Sequence, residues 1–195
     1  MRMSELKEPI SRAAREFAEI VRAVPADKLA AATPCEEYDV RGLCNHLLFW
    51  MPRLLAAAAK RPPEPLGEGE RAAELVVGDW ADLLAAEAVE LAEALRDPAA
   101  WQGSTSIAGG DLPAAMVGRM ALCELVVHGW DLATATGVPA RYESGAAEAA
   151  EQVMREIGEQ GRQLKAFGPE VPLGDDASVL DRVVALSGRD PAWRP

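Results

Sequence analysis

The sequence is short of positive charge. Its 31 acidic residues outnumber 20 lysines and arginines, giving a formal net charge of −11, and no basic run of any length occurs. Nucleic-acid backbones and anionic membrane surfaces both need a basic face, so neither is expected as a partner. Long hydrophobic runs are also missing. The stretch Leu54 to Ala59 breaks off at Lys60 and Arg61, well short of the roughly 20 apolar residues of a membrane span. The first residues carry charges throughout and have no apolar segment, so a signal peptide is not expected. Cysteine is scarce. Cys35, Cys44 and Cys123 are odd in number and form no CxxC pair, which argues against a disulfide framework and for a reducing, cytoplasmic setting. GxSxG, the P-loop and GxGxxG are absent, which removes the best-known nucleophile and nucleotide motifs. Histidine is scarce as well, with only His46 and His128.

What is present reads as helix almost throughout. Apolar residues make up 49% of the 195, enough for one sizeable core, so a single domain over 1–195 is expected. Ile10, Ala14, Phe17, Val21 and Val24 form one helical stripe between Pro9 and Pro25. Asp39 is placed to cap a second helix from Val40, with Leu43, His46, Leu47, Trp50 and Leu54 on its inner face. Pro52 lies inside that run and should kink or break it. After a Pro/Gly-rich connector, Lys60 to Glu70, a third helix is expected from Arg71 to Leu95. The next connection allows a short β excursion and a turn at Gly109-Gly110. A fourth helix, capped by Asp111 with Pro113 in its first turn, should run to Thr136 and stop at Gly137. A fifth is expected from Ser144 to Leu164. The tail, from about Ala166 to Pro195, should be extended, then helical from Ser178 to about Ser187, and pack on the rest. The sum is an all-α fold, a four-helix up-down bundle with an additional helix and a tail. Helices one to four or two to five could form its core.

Both histidines fall on the apolar face of an expected helix. On the fourth, Val117, Met120, Ala121, Glu124 and His128 follow one ladder, and residues four apart lie about 5–6 Å apart at Cβ. His46 faces inward from the second helix, so His46, Glu124 and His128 could meet on one ion inside the bundle. Three protein ligands leave a position open for water or substrate, the catalytic arrangement. The set suits zinc first, with nickel or ferrous iron permitted, and an iron-dependent oxidative enzyme is a further reading of it. The plainer alternative is a Glu124–His128 pair on a partly exposed face with His46 hydrogen-bonded in the core. Asp131 either orients a ligand from behind or is a charge on the solvent side. Cys44 and Cys123 point away from the three and read as small buried hydrophobes. Cys35, before a helix start, reads as structural or as a mildly activated thiol. Trp50, Trp80 and Trp130 read as core or pocket wall.

The segments "TPCEEYDVRGLCNHLL", "ELVVHGWDLATATG" and "AFGPEVPLGDDASVLDRVVALSGRDPAW" resemble those of an actinobacterial metal-binding family of the DinB-like superfamily. That family is similar to the N-terminal domain of mycothiol-dependent maleylpyruvate isomerase. The resemblance covers nearly the whole chain and implies a bundle with a divalent metal on its inner face. The family's motif histidine falls on His46, the glutamate and histidine of its ExxxHxWD motif on Glu124 and His128, and the rest of that motif on Trp130 and Asp131. It also implies a low-molecular-weight thiol such as mycothiol or bacillithiol, activated at the metal for S-transfer or isomerisation of a small electrophilic substrate. A homodimer is allowed. The isomerase carries a further C-terminal domain that contributes to its active site, whereas this chain stops at Pro195 after a short tail. That counts against the isomerase's own reaction while leaving an S-transferase or isomerase-like enzyme as the expectation. The competing expectation is a non-catalytic metal- or ligand-binding helical module.

Overall fold

The computed structural model describes residues 3–62, 65–142 and 145–195. The first helix, α1 (Met3–Arg22), starts a turn and a half before Pro9. Leu6 explains the early start: it lies four residues before Ile10, and both are fully buried with Phe17 and Ile20. Helix α2 (Val40–Ala58) begins as expected, with the Asp39 carboxylate accepting from the Gly42 amide at 2.7 Å. It is not broken at Pro52. Met51, Leu54 and Leu55 are all buried around the proline, and burying that face outweighs one missing backbone bond.

The expected third helix is much shorter. A single 3-10 turn, Glu70–Ala72, is followed by extended chain, and α3 (Trp80–Ala94) begins only after Gly78, whose φ of +55° ends the extended run. That run is tied down by α2: Asn45 Oδ1 accepts from the Leu75 amide at 2.8 Å, and Arg41 donates to the Val76 carbonyl at 3.2 Å. Satisfied backbone and buried Val76 hold it as a strap across the bundle. Asp111 does not cap a helix either. It sits in a hairpin of β1 (Ser104–Ile107) and β2 (Gly110–Pro113), opposite Ser106. The two-residue turn, Ala108-Gly109, has φ of +52° and +79°, the left-handed pair that such a hairpin requires. Helix α4 (Ala114–Cys123) starts after Pro113, not before it.

The chain then passes through a π-helical turn, Glu124–His128, into α5 (Gly129–Thr136), which ends at Gly137 with φ +77°. Helix α6 (Ala146–Gln163) follows; Ser144, where the sequence suggested a start, lies outside the described residues. Helix α7 (Val179–Leu186) is capped by Ser178 and Asp181 reciprocally, as the tail pattern suggested. The core is made by the first four helical segments. α1 packs on α3, α3 on α2, α2 on α4, and α4 on α1, with α6 added against α1 and α4 and α7 against α6. The order around the bundle is therefore α1–α3–α2–α4, and helices α1 and α2 face each other across it. Among the described residues no helix is long and apolar enough to cross a membrane.

Candidate metal centre

The π-helical turn carries both Glu124 and His128. A wider turn disturbs the regular backbone ladder and tends to occur at functional sites. Here it has an outside support: the Tyr142 hydroxyl donates to the Leu125 carbonyl. The hydroxyl can reach in because residue 129 is glycine. A Cβ at Gly129 would lie 1.9 Å from it.

From this turn and from α2, three donors converge. His46 Nε2 lies 3.6 Å from Glu124 Oε2, and His128 Nε2 lies 3.5 Å from the same oxygen. The two imidazoles meet edge to face with centroids 5.2 Å apart. Separations of 3.5–3.6 Å are too long for good hydrogen bonds. They suit two ligands of one tetrahedral ion, which with bonds of about 2.0–2.2 Å stand about 3.3–3.6 Å apart. Glu124 Oε2 is buried and, among the described residues, has no hydrogen-bond partner, an arrangement that costs free energy unless something else satisfies the oxygen. Two imidazole nitrogens and a carboxylate are a fitting donor set for zinc, nickel or ferrous iron. The residues fit a metal.

Each histidine is held from behind by its own carboxylate. His46 Nδ1 lies 3.1 Å from Glu70 Oε1, and His128 Nδ1 lies 2.9 Å from Asp131 Oδ2. Such contacts fix Nδ1 as the donor and leave the Nε2 lone pair facing Glu124. The carboxylates are held in turn. Tyr38 Oη donates to Glu70 Oε1 at 2.7 Å and Trp50 Nε1 to Glu70 Oε2 at 2.8 Å. Arg189 donates to both oxygens of Asp131, at 3.4 and 3.1 Å. Asp131 is fully buried, so its reading as a solvent-side charge falls. Trp130 is buried as well, and among the described residues no hydrogen bond joins it to the three central side chains.

The charges respond to this packing. Burial pushes Glu124 up, but His128 and His46 outweigh it and pull the carboxyl down to about 2. For His46, burial works against the imidazolium, yet Glu124 and Glu70 prevail and raise it. Glu70 is likewise lowered: burial opposes ionisation, and the donors Tyr38 and Trp50 overcome it. Cys35 lies within 4.8 Å of the donor atoms of His128 and Asp131, but burial raises its thiol and the neighbouring Arg189 only partly offsets that. It is not an activated thiol. Cys44 and Cys123 are buried as expected. A cavity of about 120 Å³ opens beside the triad, lined by Met120, Glu124, Val127, His128, Phe167 and Arg189 among others.

Sequence reasoning missed Glu70, Tyr38, Arg189 and the polar role of Trp50. Trp50 had a signal, since it lies four residues after His46 on one helical face. Glu70 had none, because it reaches His46 through the strap and not through a helical period.

The chain is a helical bundle in which two histidines on different segments face one buried glutamate oxygen. It belongs to the mycothiol maleylpyruvate isomerase N-terminal domain family, whose profile matches residues 10–133. That stretch contains His46, Glu70, Glu124, His128 and Asp131, and ends before Arg189. Two uncharacterized proteins, from two strains of Mycobacterium tuberculosis, are each 28% identical over 183 residues, covering 91% of this chain and 94% of the relative. A solved structure of a mutant of the mycothiol-dependent maleylpyruvate isomerase shares the fold, with a TM-score of 0.60 at 16% identity, over 90% of this chain and 77% of that one. The fold is thus the DinB-like bundle expected from the sequence.

Proposed function

We propose that the protein binds one divalent metal ion, zinc first among candidates, through His46 Nε2, His128 Nε2 and Glu124, and that it is a metal- and thiol-dependent S-transferase or isomerase-like enzyme. The observation that carries this is the buried, unpartnered Glu124 Oε2 with two imidazole nitrogens at ligand-to-ligand distance. Family membership supports the thiol, of which mycothiol is the first expectation. When bound, the ion supplies positive charge that lowers the pKa of a thiol at its open position.

The chain's own residues do the rest. Glu70 and Asp131 keep each Nδ1 protonated and each ring turned inward. Met120, Val127 and Phe167 make apolar walls beside the open side, which keep bulk water from the sulfur. In transfer, the S–H proton would pass to solvent, the thiolate pair would form the C–S bond, and the leaving group would depart with its bonding electrons. In isomerisation, the thiolate would add to a double bond conjugated to a carbonyl, whose oxygen takes up the π electrons. The resulting single bond rotates, and return of those electrons expels the same thiolate. A second reading, a metal-binding module without catalysis, draws on one observation. The adjacent cavity of about 120 Å³ is small beside ordinary ligand pockets of about 300–1,000 Å³.

Elemental mass spectrometry on protein purified without chelators tests the metal, followed by assays of loaded protein with mycothiol and simple electrophiles. One divalent ion per chain, lost in Glu124→Ala, together with thiol-dependent turnover, is the expected result. Metal without turnover favours the module. No metal after incubation with zinc, nickel and iron removes both readings.

A further inference from the structure

The tail segments around Phe167 and Arg189 lie outside the stretch that defines the family, yet they reach the candidate centre. Gly168 and Gly188 cross backbone to backbone: the Gly168 amide donates to the Ser187 carbonyl at 3.1 Å. A Cβ on Gly188 would lie 2.6 Å from the Gly168 Cα, and Gly188 has φ +91°, so glycine is needed there on two counts. The Arg189 amide then donates to the Val184 carbonyl at 3.0 Å. The chain is turned so that the Arg189 side chain enters the bundle, where it is 9% exposed. Its Nη1 donates to the Ser187 carbonyl at 3.2 Å while Nε and Nη2 take the two oxygens of Asp131.

We infer that Arg189, aimed by the Gly168–Gly188 crossing, is a positioning residue of the metal centre: it holds Asp131, which in turn holds the His128 ring. This rests on the metal-binding reading above. Asp131 is fully buried, and a buried carboxylate needs a partner for its charge. Arg189 supplies that charge as a planar fork, which fixes the carboxylate plane as well as its position. Asp131 Oδ2 receives both Arg189 Nη2 and His128 Nδ1, so the orientation of the fork passes to the ring. Without Arg189 the carboxylate loses the fork that fixes its plane and is free to turn, which releases His128 Nδ1. The C-terminal segment is therefore part of the site and not only packing upon it.

The test measures zinc dissociation constants by competition with a chromogenic chelator and visible spectra of the cobalt(II) forms. The proteins are wild type, Arg189→Gln, Arg189→Lys, Asp131→Asn and the double variant Arg189→Gln/Asp131→Asn. Circular dichroism melts of the metal-free proteins run alongside. Arg189→Gln should weaken zinc by about 10–100-fold and alter the cobalt bands, with a smaller loss in Arg189→Lys. The double variant should bind no more weakly than Asp131→Asn alone. Wild-type affinity in Arg189→Gln overturns the inference, as does a double variant that multiplies the two single losses. Should Arg189→Gln fail to fold, Arg189→Lys keeps the charge without the fork, and unchanged affinity there overturns it equally. A wild type that binds neither zinc nor cobalt sinks the metal reading itself, which is a separate result.

Discussion

Replacing Gly129 by alanine puts a methyl group where the Tyr142 side chain already stands. The new Cβ would lie 1.9 Å from the Tyr142 hydroxyl and 3.2 Å from both Tyr142 Cζ and Phe17 Cδ2. Phe17 is fully buried and has nowhere to go, so Tyr142 must withdraw and its bond to the Leu125 carbonyl is lost. Overpacking of this kind costs about 1–3 kcal/mol, and the lost Tyr142 hydrogen bond costs about 0.5–1.5 kcal/mol more. Alanine returns about 1 kcal/mol through its better helix propensity. The net expectation is a destabilisation of about 2 kcal/mol, or a melting temperature lower by roughly 4–8 °C. Denaturant titration and thermal melts of Gly129→Ala, Tyr142→Phe and the double variant decide the matter. In the Tyr142→Phe background the nearest atoms to the new Cβ stand 3.2 Å away, and the carbonyl has already lost its donor. Gly129→Ala should there cost less than about 1 kcal/mol. Equal costs in the two backgrounds, or a Gly129→Ala protein as stable as wild type, would refute the account of what supports the π-helical turn.

Glu70→Gln removes the charge behind His46 but keeps an acceptor for Tyr38. Zinc affinity should fall about 10–100-fold, read by chelator competition, and unchanged affinity would show that Glu70 does not tune the site. Glu87 on α3 is a test of pH dependence away from the centre. Its Oε2 is buried with no partner among the described residues, and burial, with Glu90 nearby, raises its pKa from 4.5 to about 7. A carboxyl raised on folding binds its proton more tightly in the folded state, so stability is lost as pH climbs from about 4.5 through 7. Glu87→Gln should stabilise by about 1 kcal/mol at pH 8, discounted for partial exposure, and not at pH 4; equal melting shifts at the two pH values count against it. Asp39→Ala deletes the cap on α2 and should cost about 1 kcal/mol in denaturant titration, whereas no loss would mean water replaces the cap fully.

Periodicity revealed the helices that bury a continuous face, because α1, α2, α4 and α6 each repeat their apolar residues at helical spacing. The same signal placed His46, Glu124 and His128 on inward faces before any coordinates. It failed where chain geometry is decided by partners distant in sequence. The strap from Glu70 to Val77 looked like the start of α3 because Val76 fits that helix's stripe, yet Asn45 and Arg41 on α2 claim its backbone. Asp111 looked like a cap because it precedes a proline and an apolar run, yet the left-handed Ala108-Gly109 turn pairs it into a hairpin. The π-helical turn was equally hidden. Its support comes from Tyr142, beyond the end of α5, and nothing in the local pattern of "ELVVH" distinguishes it from an α-helical turn. Arg189 was out of reach for the same reason, since only the glycine crossing aims it inward.

The dispersal of these groups along the sequence bears on how the protein would acquire its ion during synthesis. Tyr38, His46, Glu70, Glu124, His128 and Arg189 are spread from residue 38 to residue 189 in order of translation. A nascent chain that has emerged as far as His128 holds all three donors but not the guanidinium that steadies one of them. Ribosomes adding about 5–20 residues per second need roughly 3–12 s to deliver the intervening 60 or so residues. On the metal-binding reading, an unfinished chain would hold an ion about 10–100-fold less tightly, as expected for Arg189→Gln, and full retention would begin only when Arg189 docks on Asp131.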